Sequence, residues 1–169
     1  YADALGCAND IGITVTVNPI PEPNMGADFA LCEDAPAVDL AGSTTPSGGS
    51  YVGVSMNGSI FDPAVAGVGT HEIIYIYGTG SCYATDTLLI TVDPLPIIDL
   101  SANLDGICVS ETSLLLQATP AGGTWTGNNG AVISGSTFDP NASGIGTYTL
   151  TYTYTAGNGC SQTANWNLE

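Results

Sequence analysis

One block of sequence occurs twice in this chain, and that repetition constrains the fold more than any other feature. Phe61-Asp62-Pro63 recurs as Phe138-Asp139-Pro140, 77 positions later. The Asp62 carboxylate is expected to accept local backbone N–H bonds in an Asx-type turn. In both copies a Gly-x-Gly-Thr turn, a Tyr-x-Tyr segment and then a cysteine follow; the cysteines are Cys82 and Cys160. A period of this size with matching turn glycines predicts a tandem array of small domains.

The period divides the chain into three parts. Residues 22–96 and 97–169 form two complete repeats, and residues 1–21 match the end of a preceding repeat. Within that first part, an alternation of apolar residues from Ile11 to Val17 predicts a strand with one buried face. Residues 18–21 and 93–96 both follow an X-Pro-X-Pro pattern, which predicts semi-rigid linkers between repeats.

Within each repeat the pattern predicts six or seven short strands. Thr, Gly, Val, Ile and Tyr are abundant, and this balance favours an all-β fold. The longest strands are expected at 70–77 and 147–155, with their inward faces carrying His71, Ile73, Tyr75, Tyr77, Tyr148, Leu150, Tyr152 and Tyr154. Short strands, an aromatic residue on a middle strand and a cysteine pair are typical of a small immunoglobulin-like sandwich. We therefore predict tandem immunoglobulin-like β-sandwich repeats of about 75 residues.

The charge balance excludes several classes of partner. The chain has no Lys or Arg and sixteen acidic residues, and its net charge is −16. Nucleic acid is excluded, because phosphate binding requires Lys or Arg to displace counterions. An anionic membrane surface is disfavoured for the same reason. No apolar run is long enough to span a bilayer, so we expect no membrane insertion.

Five cysteines in a small β array indicate an oxidising compartment. Cys32 and Cys108 each precede an early strand, and Cys82 and Cys160 each follow the long strand. We therefore predict two disulfides within the repeats, Cys32–Cys82 and Cys108–Cys160. By period Cys7 matches Cys82, so its partner would lie upstream and Cys7 is expected to be unpaired within this chain.

The N-terminal part has two explanations. Residues 1–169 are either a slice of a longer array or a subunit whose N-terminal hairpin completes a domain in its neighbour. The second arrangement, strand donation, would build fibres through open head-to-tail contacts. An isolated hairpin is marginal in water, and the chain stops inside its last predicted strand, so the slice is favoured.

Residues that could carry chemistry are few, and each has a structural interpretation. His71 is the only histidine and aligns with Tyr148, so it is expected to pack inward and not to act as a catalytic base. Glu33, Asp34 and Asp39 could in principle support glycoside hydrolysis but are expected to be solvated charges. One histidine cannot complete a zinc site. We expect no enzyme activity, cofactor or metal, although isolated carboxylates beside the linkers, Glu22 and Asp93, leave calcium as an alternative.

The aromatic residues and the threonines allow binding interpretations. Trp125 and Trp166 could form a carbohydrate platform, but their alternation predicts core positions. The threonines at positions 147, 149, 151, 153 and 155 share the opposite face of one strand. That face is uncharged and lacks the lysines that usually protect edge strands, so it is expected to be shielded by glycan or used in lateral packing.

Several segments together resemble a known repeat family. They are Gly122-Gly123-Thr124-Trp125-Thr126-Gly127, Phe138-Asp139-Pro140, Gly144-Ile145-Gly146-Thr147-Tyr148, Tyr152-Thr153-Tyr154 and Gly159-Cys160. These segments resemble the Ig-like tandem repeats of giant secreted surface proteins of Bacteroidota, which include gliding-motility adhesins exported by the type IX secretion system. The resemblance covers nearly the whole chain. The first repeat departs from it at Tyr51, where the family favours Trp, and at His71-Glu72, where it favours Tyr-Thr.

The resemblance implies a location and a role. It implies an extracellular or cell-surface protein without catalysis, acting as a structural segment of a stalk, adhesin or surface filament. Its expected partners are neighbouring repeats, with a glycan or other cell-surface ligand at most. The alternative is a module that binds glycan or protein through loops such as Asn128-Asn129-Gly130. The resemblance also implies O-glycosylation at Thr87, within Asp86-Thr87-Leu88; the sequons at Asn57 and Asn141 are less favoured in a bacterial protein.

Overall fold

The computed structural model describes residues 4–6, 11–80, 82–101 and 106–169. The described residues are mostly β-strands with two four-residue helices, α1 (Pro63–Ala66) and α2 (Pro140–Ser143), so the predicted all-β class is confirmed. The strands of the first half are β1 (Phe29–Cys32), β2 (Val38–Asp39), β3 (Ser50–Val52), β4 (Met56–Asn57), β5 (Ile60–Phe61), β6 (Gly69–Thr79) and β7 (Cys82–Asp93). Those of the second half are β8 (Leu114–Leu115), β9 (Thr124–Gly127), β10 (Val132–Ser134), β11 (Thr137–Asp139), β12 (Tyr148–Thr155) and β13 (Ser161–Leu168).

The first half contains two sheets. One has the strand order β1-β7-β6-β3 and the other the order β2-β5-β4. All neighbours are antiparallel except β1, which runs parallel to β7 with Cys32 opposite Asp93. The long hairpin of β6 and β7 pairs Gly69 with Val92 at one end and Thr79 with Cys82 at the other. It is therefore the longest rigid element of this half.

The second half repeats this arrangement except for β1, which has no counterpart among the described residues. Its sheets have the orders β13-β12-β9 and β10-β11-β8, which match β7-β6-β3 and β4-β5-β2. The hairpin of β12 and β13 pairs Tyr148 with Leu168 and Thr155 with Ser161. The chain thus builds the same strand order twice, as the repeated sequence requires.

Each half has its own core. The buried residues of the first are Met25, Leu40, Phe61, Ile73, Tyr75, Leu88, Ile90 and Val92, and those of the second are Leu116, Trp125, Phe138, Tyr148, Leu150, Tyr152, Trp166 and Leu168. No residue belongs to both clusters, and residues 93–96 lie between them in sequence. In both long strands the residues predicted to face inward pack on or within these clusters, because side chains alternate across a strand.

An aspartate-proline pair begins each short helix. Asp62 accepts hydrogen bonds from the backbone N–H groups of Ala64 and Val65, and Asp139 accepts one from Ala142. The capping aspartate satisfies N–H groups that have no partner within the helix, while proline needs none at the first position. The local turn predicted at Asp62 is confirmed.

A buried tyrosine anchors the neighbouring loop in each half. The hydroxyl of Tyr75 donates to the Pro46 carbonyl at 2.6 Å and accepts from the Gly49 N–H at 2.7 Å. In the second half Tyr152 makes the same two bonds, to Pro120 and Gly123, both at 2.7 Å. Both interactions were missed in the sequence, although the shared Pro-x-x-Gly spacing was a signal for them.

The N-terminal part differs from the prediction. Residues 11–21 form no strand, and Ile11, Ile13, Val15 and Val17 are each at least 77% exposed. A strand needs a neighbour to complete its backbone hydrogen bonds, and no described residue pairs with this segment. The alternating pattern therefore has no sheet to join within this structure.

Candidate functional site at the joint between the two halves

A disulfide joins the two halves. Cys32, the last residue of β1, is bonded to Cys160, which directly precedes β13, with an S–S distance of 2.07 Å and a Cα–Cα distance of 5.6 Å. The two cysteines are 128 residues apart in sequence. The bond closes a covalent loop around most of the first half and most of the second.

This pairing corrects the predicted Cys32–Cys82 disulfide. Cys32 lies opposite Asp93 at the end of β7, whereas Cys82 is the first residue of that strand. Eleven residues separate the two ends, which is about 37 Å at the usual rise of a β-strand. A disulfide requires Cα atoms within about 7 Å, so the prediction was wrong because the parallel pairing of β1 with β7 was not recognised.

The predicted Cys108–Cys160 disulfide is also wrong, because the two cysteines lie at opposite ends of β13. Cys108 and Leu168 line the same surface groove at the end of β13, whereas Cys160 directly precedes the first residue of that strand. Eight residues of strand correspond to roughly 27 Å. Cys82 and Cys108 are instead exposed free thiols. Cys7, predicted to be unpaired within the chain, lies outside the described residues.

The segment that connects the halves passes beside this disulfide. Backbone pairing continues beyond β1, because the Glu33 N–H donates to the Asp93 carbonyl at 2.9 Å. On the other side the Asn158 side chain donates to the Pro94 carbonyl at 3.3 Å. A groove here is lined by Glu33, residues 94–98 and residues 162–164. Non-covalent contacts therefore support the covalent link, and no sequence pattern indicated the role of Asn158.

His71 lies on β6 in the same sheet as Cys32: its partner Ile90 on β7 also pairs with Phe29 of β1. Its Nε2 is 2.8 Å from the Gly67 carbonyl oxygen, and its ring lies 5.9 Å from that of Phe61. Because a carbonyl only accepts, Nε2 carries the proton in this contact. His71 therefore packs inward, as predicted.

The acidic candidates do not converge on one site. Glu33, Asp34 and Asp39 are exposed, and Asp39 accepts a hydrogen bond from the Ala41 N–H. The hydrogen bond from the Ser59 hydroxyl, followed by that from Ala41, holds the pKa of Asp39 below its ordinary value. Glu22 is exposed and Asp93 is half-buried. Within the described ranges, no group of three or more His, Cys, Asp or Glu residues could hold a metal ion.

The aromatic candidates belong to the core. Trp125 and Trp166 are buried, with 7% and 8% exposure, and the Trp125 ring lies 5.0 Å from that of Tyr152. Neither indole offers an open face of the kind a sugar ring requires, so the core interpretation is confirmed.

The threonine face of β12 bonds to its neighbouring strand. The hydroxyl of Thr149 donates to the Asn167 side chain at 3.0 Å, and that of Thr151 to Asn165 at 2.8 Å. These cross-strand bonds connect β12 to β13 on the outer side of the sheet. Thr87 on β7 is exposed, as O-glycosylation would require; the modification itself stays a prediction.

The sequence matches no known family model, and no curated protein matches it significantly. Within the part of the chain that the structure describes, no helix is both long enough and apolar enough to cross a membrane.

Proposed function

We propose that this chain is a load-bearing segment of an extracellular stalk, adhesin or surface filament, built from immunoglobulin-like repeats. The strand order supports the fold assignment. Two sheets with one long hairpin, and a first strand running parallel to the last, are typical features of immunoglobulin-like sandwiches. The disulfide fits an oxidising, extracellular setting. The resemblance to repeats of Bacteroidota surface proteins gives the same location.

The observation that carries the proposal is the place of Cys32–Cys160 in the path of a pulling force. When the two ends of the chain are pulled apart, the shortest covalent path runs from the N-terminus to Cys32, across the disulfide, and from Cys160 to the C-terminus. Residues 33–159 lie inside the closed loop and are not extended. The joint therefore limits how far the segment can lengthen, which suits a stalk that must keep its reach under load.

Single-molecule force measurement tests this proposal. The chain would be held by peptide tags at its two ends and pulled with and without a reductant, and Cys160→Ser would serve as a second reduced form. Reduction is expected to add about 430 Å of extension, because 128 residues are released at roughly 3.4 Å each. Equal extension before and after reduction would contradict a load-bearing joint. Cys82→Ser is the matched control, since Cys82 is an exposed free thiol.

The alternative, a glycan- or protein-binding module, has less support. The side chains of the loop that would carry it bond within the protein: Asn128 accepts from the Thr149 N–H at 2.7 Å, and Asn129 donates to the Thr147 carbonyl at 3.2 Å. A glycan array would separate the two proposals. Binding that is lost in Asn129→Ala, with unchanged stability, would favour the alternative.

A further inference from the structure

The two free thiols are the repeat equivalents of the two bonded cysteines. Cys108 corresponds to Cys32, because the carbonyl of each accepts a 2.9 Å hydrogen bond from the N–H three residues later, at Glu111 and Ala35. The two cysteines therefore lie in equivalent turns, one in each half. The pair differs in two respects: Cys32 ends strand β1 and is bonded, whereas Cys108 lies in no strand and is exposed and free.

Cys82 corresponds to Cys160 in the same way. Cys82 pairs with Thr79 at the closed end of the β6–β7 hairpin. The carbonyl of Cys160 accepts from the Ala156 N–H at 2.9 Å, at the closed end of the β12–β13 hairpin. Both cysteines thus lie where the last strand of their half starts, Cys82 as its first residue and Cys160 directly before it, and again only one of them is bonded.

A linker segment lies beside Cys82, as one does at the existing joint. Asn18, Pro19 and Pro21 line a groove together with Cys82. At the existing joint, residues 94–98 lie along the start of β13, next to Cys160. The segment that precedes each half therefore passes beside the cysteine that begins its last strand.

The end of the second half that carries Cys108 is open. A groove of about 340 Å³ there is lined by Cys108, Ile107, Phe138 and Tyr148, among others. Ile145 at its rim is 94% exposed. The equivalent end of the first half carries Cys32, which is bonded to the second half. Continuity with that joint indicates that another repeat of the same kind covers this end.

We propose that Cys108 and Cys82 are the two halves of a further joint of the same type, which links this segment head-to-tail to neighbouring repeats. Cys108 bonds to a cysteine that begins the last strand of the following repeat, and Cys82 bonds to the turn cysteine of the preceding one. This inference rests on the proposed stalk function. It gives the stalk a continuous series of disulfides, one across each boundary, in place of staples within each domain.

The chemistry is an ordinary thiol–disulfide exchange. Two thiols lose two protons and two electrons, one S–S bond forms, and a small disulfide such as oxidised glutathione is reduced to two thiols. Cys82 and Cys108 are not bonded to each other within one molecule, since both are free thiols. Cys82 in the first half and Cys108 in the second each lie about one strand length from the Cys32–Cys160 joint. The bond is therefore made with another repeat, and a second copy of this chain presents the required cysteine.

The test uses the full chain in a Cys7→Ser background, so that Cys82 and Cys108 are the only free thiols. One variant adds Cys82→Ser and the other adds Cys108→Ser. Each variant is treated with oxidised glutathione by itself, and then the two variants are treated together in a mixture. The salt concentration is 0.15 M or above, to screen the net charge of −16. The products are separated without reductant, digested before aspartate, and identified by mass spectrometry.

The mixture is expected to give one discrete dimer, joined from Cys108 of one variant to Cys82 of the other. Random pairing would give only twice as much of this product as of either symmetrical dimer, and we expect roughly a tenfold excess, equivalent to about 1.4 kcal/mol. The chain with both thiols should give a ladder of oligomers. Symmetrical dimers in comparable yield, or no cross-link while Cys32–Cys160 forms in the same sample, would overturn the inference. Neither result would affect the force measurement on Cys32–Cys160, so the two failures can be told apart.

Discussion

His71 donates a hydrogen bond to the Gly67 carbonyl at 2.8 Å, and the Tyr148 hydroxyl shares its one proton between the equivalent Gly144 carbonyl at 3.0 Å and the Ser143 carbonyl at 2.6 Å. Both side chains pack against the phenylalanine of the repeated block, at ring distances of 5.9 Å from Phe61 and 5.4 Å from Phe138. Two chemically different residues therefore contact the same backbone carbonyl and the same phenylalanine in their two halves. The only histidine of the chain is thus explained by packing and by one hydrogen bond.

The equivalence of His71 and Tyr148 predicts the effect of exchanging them. His71→Tyr should keep the free energy of unfolding near that of the wild type, because a hydroxyl can replace Nε2 as the donor. His71→Phe should lower it by about 1 kcal/mol, since the Gly67 carbonyl loses its side-chain donor. Tyr148→Phe is the matched control in the second half. If His71→Phe were as stable as His71→Tyr, the hydrogen bond would have no role.

The buried tyrosine hydroxyls predict a larger loss. Tyr75→Phe and Tyr152→Phe each remove a donor to a proline carbonyl and an acceptor for a glycine N–H. Each should lower the free energy of unfolding by about 1–3 kcal/mol, because both backbone groups lose a partner. Tyr83→Phe, at a side chain that is 58% exposed, should change little. Denaturant unfolding measures the free energy of unfolding of all three variants. If Tyr75→Phe and Tyr152→Phe were as stable as Tyr83→Phe, the anchoring role would be contradicted.

Gly123 makes a close approach that a side chain would obstruct. A Cβ atom there would contact the Thr153 carbonyl oxygen and lie 2.5 Å from Cζ of Tyr152. Gly123→Ala should therefore destabilise the chain by roughly 1–3 kcal/mol through overpacking. Gly157→Ala, where the same atom meets open space, is the control. A thermal unfolding midpoint for Gly123→Ala equal to that of the control would show that the loop can move aside.

The hydrogen bonds to Asp39 predict a pH-dependent contribution. Because the Ser59 hydroxyl and the Ala41 N–H hold the pKa of this carboxyl below its ordinary value, the ionised form favours folding. The contribution is present above the ordinary pKa of aspartate and is lost as the pH falls through the lowered value. In Ser59→Ala the pKa of Asp39 should rise toward the ordinary value, as measured by NMR titration. Asp99, whose pKa is lowered by Ser101, is the internal control; an unchanged pKa at Asp39 would contradict the assignment.

The sequence predicted much of the fold because repeated local patterns determine it. Alternation located the long strands, and Asp62-Pro63 located the capped turn. The joint was not predictable in this way. It depends on β1 pairing parallel with β7, a contact between residues about 60 positions apart that leaves no local pattern. Spacing alone therefore made Cys32 and Cys82 look like partners, although Cys82 begins β7 and Cys32 lies beside the other end of that strand.

Disulfide mapping of the oxidised chain tests the central claim most directly. Trypsin cannot cleave a chain without Lys or Arg, but cleavage before aspartate places the four relevant cysteines on separate peptides, 28–33, 62–85, 105–138 and 139–169. A covalent joint between the halves predicts that peptide 28–33 is linked to peptide 139–169, and that the pair separates on reduction. Peptide 28–33 linked to 62–85, together with 105–138 linked to 139–169, would contradict it and restore a staple within each repeat.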